Sequence, residues 1–88
     1  MAQFIKSNGS EVELKPENGK HFSLKELQGC VDGFIEIVES SDGRLIVLNE
    51  EGKLKGLPVN QKASTLYKYA GHDVIVGDVL ICNKKEIR

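Results

Sequence analysis

The sequence predicts an α+β domain: a mainly antiparallel sheet built from two hairpins and a C-terminal strand, with two short helices. Three observations lead there. Short apolar, β-branched runs flank Asn8-Gly9 and Asp42-Gly43, dipeptides that favour tight hairpin turns. A helix-capping pattern, Ser23-Leu24-Lys25-Glu26, stands between the two hairpins. The chain of 88 residues has room for one domain, residues 1–88, and no more.

The elements follow in order. Gln3-Phe4-Ile5-Lys6 is apolar-centred, and Glu11-Val12-Glu13-Leu14-Lys15 alternates. That alternation sends Val12 and Leu14 to the core and Glu11, Glu13 and Lys15 to water. Pro16 and Asn18-Gly19 end the hairpin. In the next segment the Ser23 hydroxyl accepts an N–H of the first helical turn and Glu26 reaches back to cap Ser23. Leu24, Leu27 and Val31 form one apolar stripe, and Asp32-Gly33 is the stop. Gly29 weakens this helix by up to about 1 kcal/mol relative to alanine.

The strongest strand signal runs from Phe34 to Glu39 and from Arg44 to Leu48. Both runs are apolar on more than one face, so the pair is expected to be central and covered on both sides. Asn60 is placed as the cap of a second helix through Tyr69, with Ala63, Leu66, Tyr67 and Ala70 on one face and Gly71 closing it. Asp73-Val74-Ile75-Val76 and Val79-Leu80-Ile81-Cys82 are strand-like around a bend at Gly77. Residues 83–88 read as a polar tail.

Hydrophobic residues at 40% and charged residues at 28% describe a folded protein, not a disordered one. Twelve Lys and Arg against thirteen Asp and Glu leave a formal charge of -1. Broad nucleic-acid or membrane binding needs a basic excess, so neither is expected. No signal peptide or membrane span is legible, so the expected location is the cytoplasm. Cys30 and Cys82 then read as reduced, small core residues.

Catalytic chemistry finds no footing. His21, His72 and the two cysteines stand at no metal-binding spacing, so no metal and no cofactor are expected. The glycines form neither a phosphate loop nor a dinucleotide fingerprint. Glu50-Glu51 reads as an adjacent pair in a turn, turned to solvent. The expectation is therefore a binding module and not an enzyme. Its richest stretch is the connector from Asn49 to Lys62, which carries Asn49, Lys53, Lys55, Asn60 and Lys62 among glycines and a proline. A loop held by a rigid scaffold is a frequent binding surface, and Tyr67 could lend it an aromatic face, or else belong to the core.

These residues also carry a resemblance. Gly33-Phe34-Ile35-Glu36-Ile37-Val38, Asp42-Gly43-Arg44, Asn49-Glu50-Glu51-Gly52-Lys53-Leu54-Lys55-Gly56-Leu57-Pro58-Val59-Asn60 and Val76-Gly77-Asp78-Val79-Leu80 resemble a small domain-of-unknown-function family. Its members come from gut bacteria, their phages and mobile elements. Where some members have arginine after the Pro-x-Asn, this chain has Gln61. The resemblance implies a counter-defence factor acting in the host bacterial cytoplasm. One form would be a homo-oligomeric sponge that sequesters a cyclic or ADP-ribose-type nucleotide through Asn49, Lys53, Lys55, Asn60, Lys62 and Tyr67. The alternative is an inhibitor of a host defence protein, such as a CRISPR nuclease, presenting Glu36, Glu39, Glu50 and Glu51 to a basic groove. A structural module with no small ligand is the third reading.

Overall fold

The computed structural model describes residues 2–87. Its strands are β1 (Ala2–Ile5), β2 (Glu11–Leu14), β3 (Ile35–Glu39), β4 (Leu45–Asn49) and β5 (Val79–Cys82), and its helices are α1 (Leu24–Val31) and α2 (Gln61–Leu66). The five strands form one antiparallel sheet in the order β2-β1-β5-β4-β3. The predicted α+β class is the observed one.

Local chemistry accounts for most element ends. The β1–β2 turn closes through Lys6 N–H donating to Ser10 O at 2.9 Å, with Gly9 at φ 96°. Helix α1 carries the full capping box: Glu26 N–H donates to Ser23 Oγ at 3.1 Å, and Ser23 N–H donates to Glu26 Oε1 at 2.9 Å. It stops at Asp32, which takes the left-handed conformation with φ 59°. Helix α2 starts at Asn60, as expected, but ends at Leu66 because Tyr67 is already extended. Residues 67–76 form turns and isolated bridges instead of a longer helix and a strand. The expected polar tail turns back as a 3₁₀ turn (Lys84–Glu86), and Ile87 bridges to Phe22.

Alternation along the central strands builds two cores, one on each face. Val47, Leu80 and Cys82 meet Leu27, Val31 and Phe22 on the α1 face. Ile46, Leu48, Val79 and Ile81 meet Ala63 and Ile75 on the α2 face. Strands β4 and β5 are thus covered twice, which is why they read as unbroken apolar runs.

Three expectations are corrected. β3 is an edge strand, not half of a central pair; its residues are exposed or half-buried throughout. Leu24 does not reach the core and is 58% exposed, because it stands over the groove between α1 and the edge strand β3, where no further strand covers it. Val12 is half-exposed, since β2 is the other edge.

Candidate functional site

The connector from Asn49 to Lys62 leaves the end of β4 and runs through turns to α2. Its two asparagines point inward. Asn49 is buried, and its Nδ2 donates to Val31 O at 3.0 Å and Asp32 O at 3.3 Å, while its Oδ1 accepts from Glu51 N–H at 2.8 Å. The carbonyls left open at the C-terminus of a helix need such donors, so Asn49 ties the end of α1 to the end of β4. Gly33 makes room for it: a Cβ there would stand 2.7 Å from Asn49 Nδ2.

Asn60 does the same on the other face. Its Oδ1 caps α2 by accepting from Ala63 N–H at 3.0 Å, and its Nδ2 donates to Ile5 O at 3.0 Å and Gly77 O at 2.9 Å. In both residues the amide oxygen and both N–H groups are engaged with backbone. They are bracing groups, each amide already satisfied by backbone partners.

The lysines do not converge either. Lys53 Nζ ion-pairs with Asp73 Oδ1 at 2.6 Å, and Lys62 pairs with Glu11. Lys55, in the middle of the connector, stands beside a shallow pocket of about 270 Å³ that it lines with Gln28, Gly33, Phe34 and Glu51. Tyr67 packs half-buried against the α2-side core, and its ring meets Tyr69 edge-on at 5.6 Å between centroids. The six expected ligand residues are therefore spread over both faces of the sheet.

Of the four acidic residues, Glu36, Glu50 and Glu51 lie toward the start of β3 and Glu39 lies at its far end. Glu36 and Glu39 are exposed on β3, and Glu50 and Glu51 follow β4, whose end pairs with the start of β3. Glu39 is shared with Lys68, at 3.9 Å. Among the described residues the side chains of Glu36 and Glu50 have no hydrogen bond or ion pair.

Beside these carboxylates lies a surface that sequence reasoning missed. An apolar groove of about 420 Å³ runs between α1 and β3, lined by Phe22, Leu24, Leu27, Ile35, Ile37 and Ile87 with Ser23 at its rim. Leu24, Phe34 and Ile37 are 58%, 62% and 40% exposed. The outer edge of β3 is open alongside. Glu50 N–H donates to Phe34 O and Ser40 N–H donates to Arg44 O, each at 2.9 Å. This alternation turns the backbone groups of residues 34, 36, 38 and 40 toward β4 and those of Ile35, Ile37 and Glu39 outward. Lys68 N–H donates to Glu39 O at 3.0 Å and Ser41 N–H to Leu66 O at 2.8 Å, so the far end is covered. Nothing among the described residues pairs with the outward N–H and C=O of Ile35 and Ile37. The one sequence signal was that residues 34–38 are apolar on both faces yet carry Glu36.

The titratable groups show no poised acid or base where a shift is resolved. Backbone hydrogen bonds from Ser23 and Glu17 lower the Glu26 carboxyl, the Ser40 hydroxyl lowers Asp42, and Lys53 lowers Asp73. Burial raises the Cys30 thiol and pushes Cys82 up to about 11. Among the described residues no three His, Cys, Asp or Glu side chains gather to hold a metal ion, and no helix is long and apolar enough to cross a membrane.

A family model described as "Domain of unknown function (DUF3846)" matches residues 4–87. No curated protein and no solved structure matches the chain.

Proposed function

The chain belongs to the DUF3846 family of domains of unknown function, and on that footing we propose that it is a non-enzymatic binding protein that docks a segment of another protein along β3. The observation that carries this is the open outer edge at Ile35 and Ile37 beside the groove lined by Leu24, Leu27, Ile35 and Ile37. Unpaired strand edges template pairing with another chain, and pockets along the edge take alternate side chains. Exposed apolar side chains grouped beside such an edge mark an interaction surface more often than three scattered ones would.

Within that role, a counter-defence factor of phage or mobile-element origin would work by covering a surface of a bacterial effector. This protein-contact mode has more support than the nucleotide sponge. The amides that would read a base brace helix ends, and two of the three connector lysines hold ion pairs.

The test sets the two modes side by side. A display selection of random peptides on the folded chain should enrich ligands that shift the amide resonances of residues 34–38. Ile37→Glu should abolish their binding while far-UV circular dichroism stays unchanged. Cyclic and ADP-ribose-type nucleotides should leave the melting temperature where it was. A nucleotide that raises it by mass action, with no peptide selected at β3, would replace this reading with the sponge.

A further inference from the structure

We infer that the occupant of the β3 edge is an extended partner segment in which apolar and basic side chains alternate, an inference that rests on the docking role proposed above. Side chains of an added strand alternate between the two faces of the sheet, as those of β3 do. On the α1 face they would enter the apolar groove between Leu24, Leu27, Ile35 and Ile37. On the opposite face they would meet Glu36, whose cross-strand partner Leu48 stands two residues before Glu50, just past the end of β4. Glu50 is the diagonal neighbour of Glu36 across the β3–β4 ladder, so it stands one strand further in and adds its negative charge to the face that the added strand would share with Glu36. Both carboxylates lack a partner within the described chain. Phe34, at the start of the strand, exposes a ring on which a guanidinium can stack. Apolar groups on one face and cations on the other are what this edge complements.

A second copy of the chain fits less well. Two-fold antiparallel pairing has to use the open groups of Ile35 and Ile37. Centred on Glu36, it sets Glu36 directly opposite the same residue of the copy, and like charges directly opposite destabilise a sheet. Centred on Ile37, it sets Ile35 opposite Glu39, beside the site where Lys68 already bonds. The acidic edge discourages self-pairing and leaves a cationic strand as the matching partner.

The probe is a synthetic nine-residue peptide of alternating valine and arginine, capped at both ends and titrated into the isotope-labelled full chain. The expected result is a resonance shift and slowed hydrogen exchange at the Ile35 and Ile37 amides. Replacing arginine by glutamate in the peptide, or Glu36 and Glu50 together by lysine in the protein, should weaken binding about tenfold or more, and the doubly substituted protein should prefer the glutamate peptide. N-methylation of alternate peptide amides should abolish binding, because it removes the ladder while keeping the charge. A valine–serine peptide that binds β3 as tightly as the arginine one would overturn the basic partner while leaving docking at β3 standing. Light scattering that shows a dimer broken by Ile37→Glu would overturn it in favour of a second copy. If no peptide of any charge moves residues 34–38, the docking role falls with it.

Discussion

Replacing Asn60 by alanine separates a bracing side chain from a ligand-reading one. Asn60 is 1% exposed, and its amide holds three backbone groups from three parts of the chain: Ala63 N–H, Ile5 O and Gly77 O. Loss of the cap costs about 1 kcal/mol. Each buried carbonyl left without its donor adds about 1–3 kcal/mol, less where a second bond to the same oxygen remains. The sum is roughly 3–5 kcal/mol. Domains carry roughly 0.05–0.15 kcal/mol per residue, which is about 4–13 kcal/mol for a chain of this length. N60A therefore removes a large part of the stability. In urea, followed by far-UV circular dichroism, a slope of about 1 kcal/mol/M turns this into a midpoint lowered by about 3–5 M. N60D keeps the acceptor that caps α2 but turns a carboxylate oxygen toward the carbonyls of Ile5 and Gly77. At neutral pH it should be at least as unstable as N60A. A midpoint for N60A within about 0.5 M of the unaltered chain would refute the bracing role and return Asn60 to the list of ligand contacts.

The remaining predictions concern the other end of the connector, its lysines and pH. G33A should cost about 1–3 kcal/mol, because the new Cβ would stand 2.7 Å from Asn49 Nδ2 and push it off the end of α1. G29A, with nothing within 4 Å of its Cβ, should stabilise the chain by up to about 1 kcal/mol; thermal unfolding reads both. K53A and K62A should each change stability by less than about 1 kcal/mol, since exposed ion pairs contribute little, and chemical denaturation checks this. Carboxyls held low by their partners (Glu26, Asp42 and Asp73) stabilise the fold above their ordinary range, and that contribution is lost as pH falls through the folded values. Cys82 has the opposite sign: raised by burial from 9.0 to about 11, it loses stability as pH rises from 9.0 toward 11. C82A should flatten that alkaline arm in a series of urea midpoints.

Local chemistry was legible in the sequence where a cap or a turn signal stood, and less so where α2 ends at Leu66 and the tail turns back as a 3₁₀ turn. The capping box at Ser23 and Glu26, the Asn60 cap, the Asn-Gly turn of the first hairpin and the two apolar runs of the second depend on residues within a few positions of each other. The α+β class follows from their order. The candidate site was less legible, because a side chain's use depends on what stands opposite it. Asn49 and Asn60 were recognisable as polar groups in a special segment, yet the carbonyls they hold belong to Val31, Asp32, Ile5 and Gly77. The last two meet only when β1, α2 and the segment before β5 pack together.

Strand order was the other thing the sequence left open. A run apolar on both faces fits a strand covered twice and equally an edge that waits for a partner. Residues 45–48 are the first kind and residues 34–38 the second. Placing β5 between β1 and β4 put β4 in the interior and left β3 at the margin. Pairing energy between distant strands made that choice, and no local pattern encodes it. The sequence by itself determined the α+β class, the starts of both helices and the turns of the two hairpins. Only the tertiary structure decided which strands keep an open edge, and so where this protein can be joined.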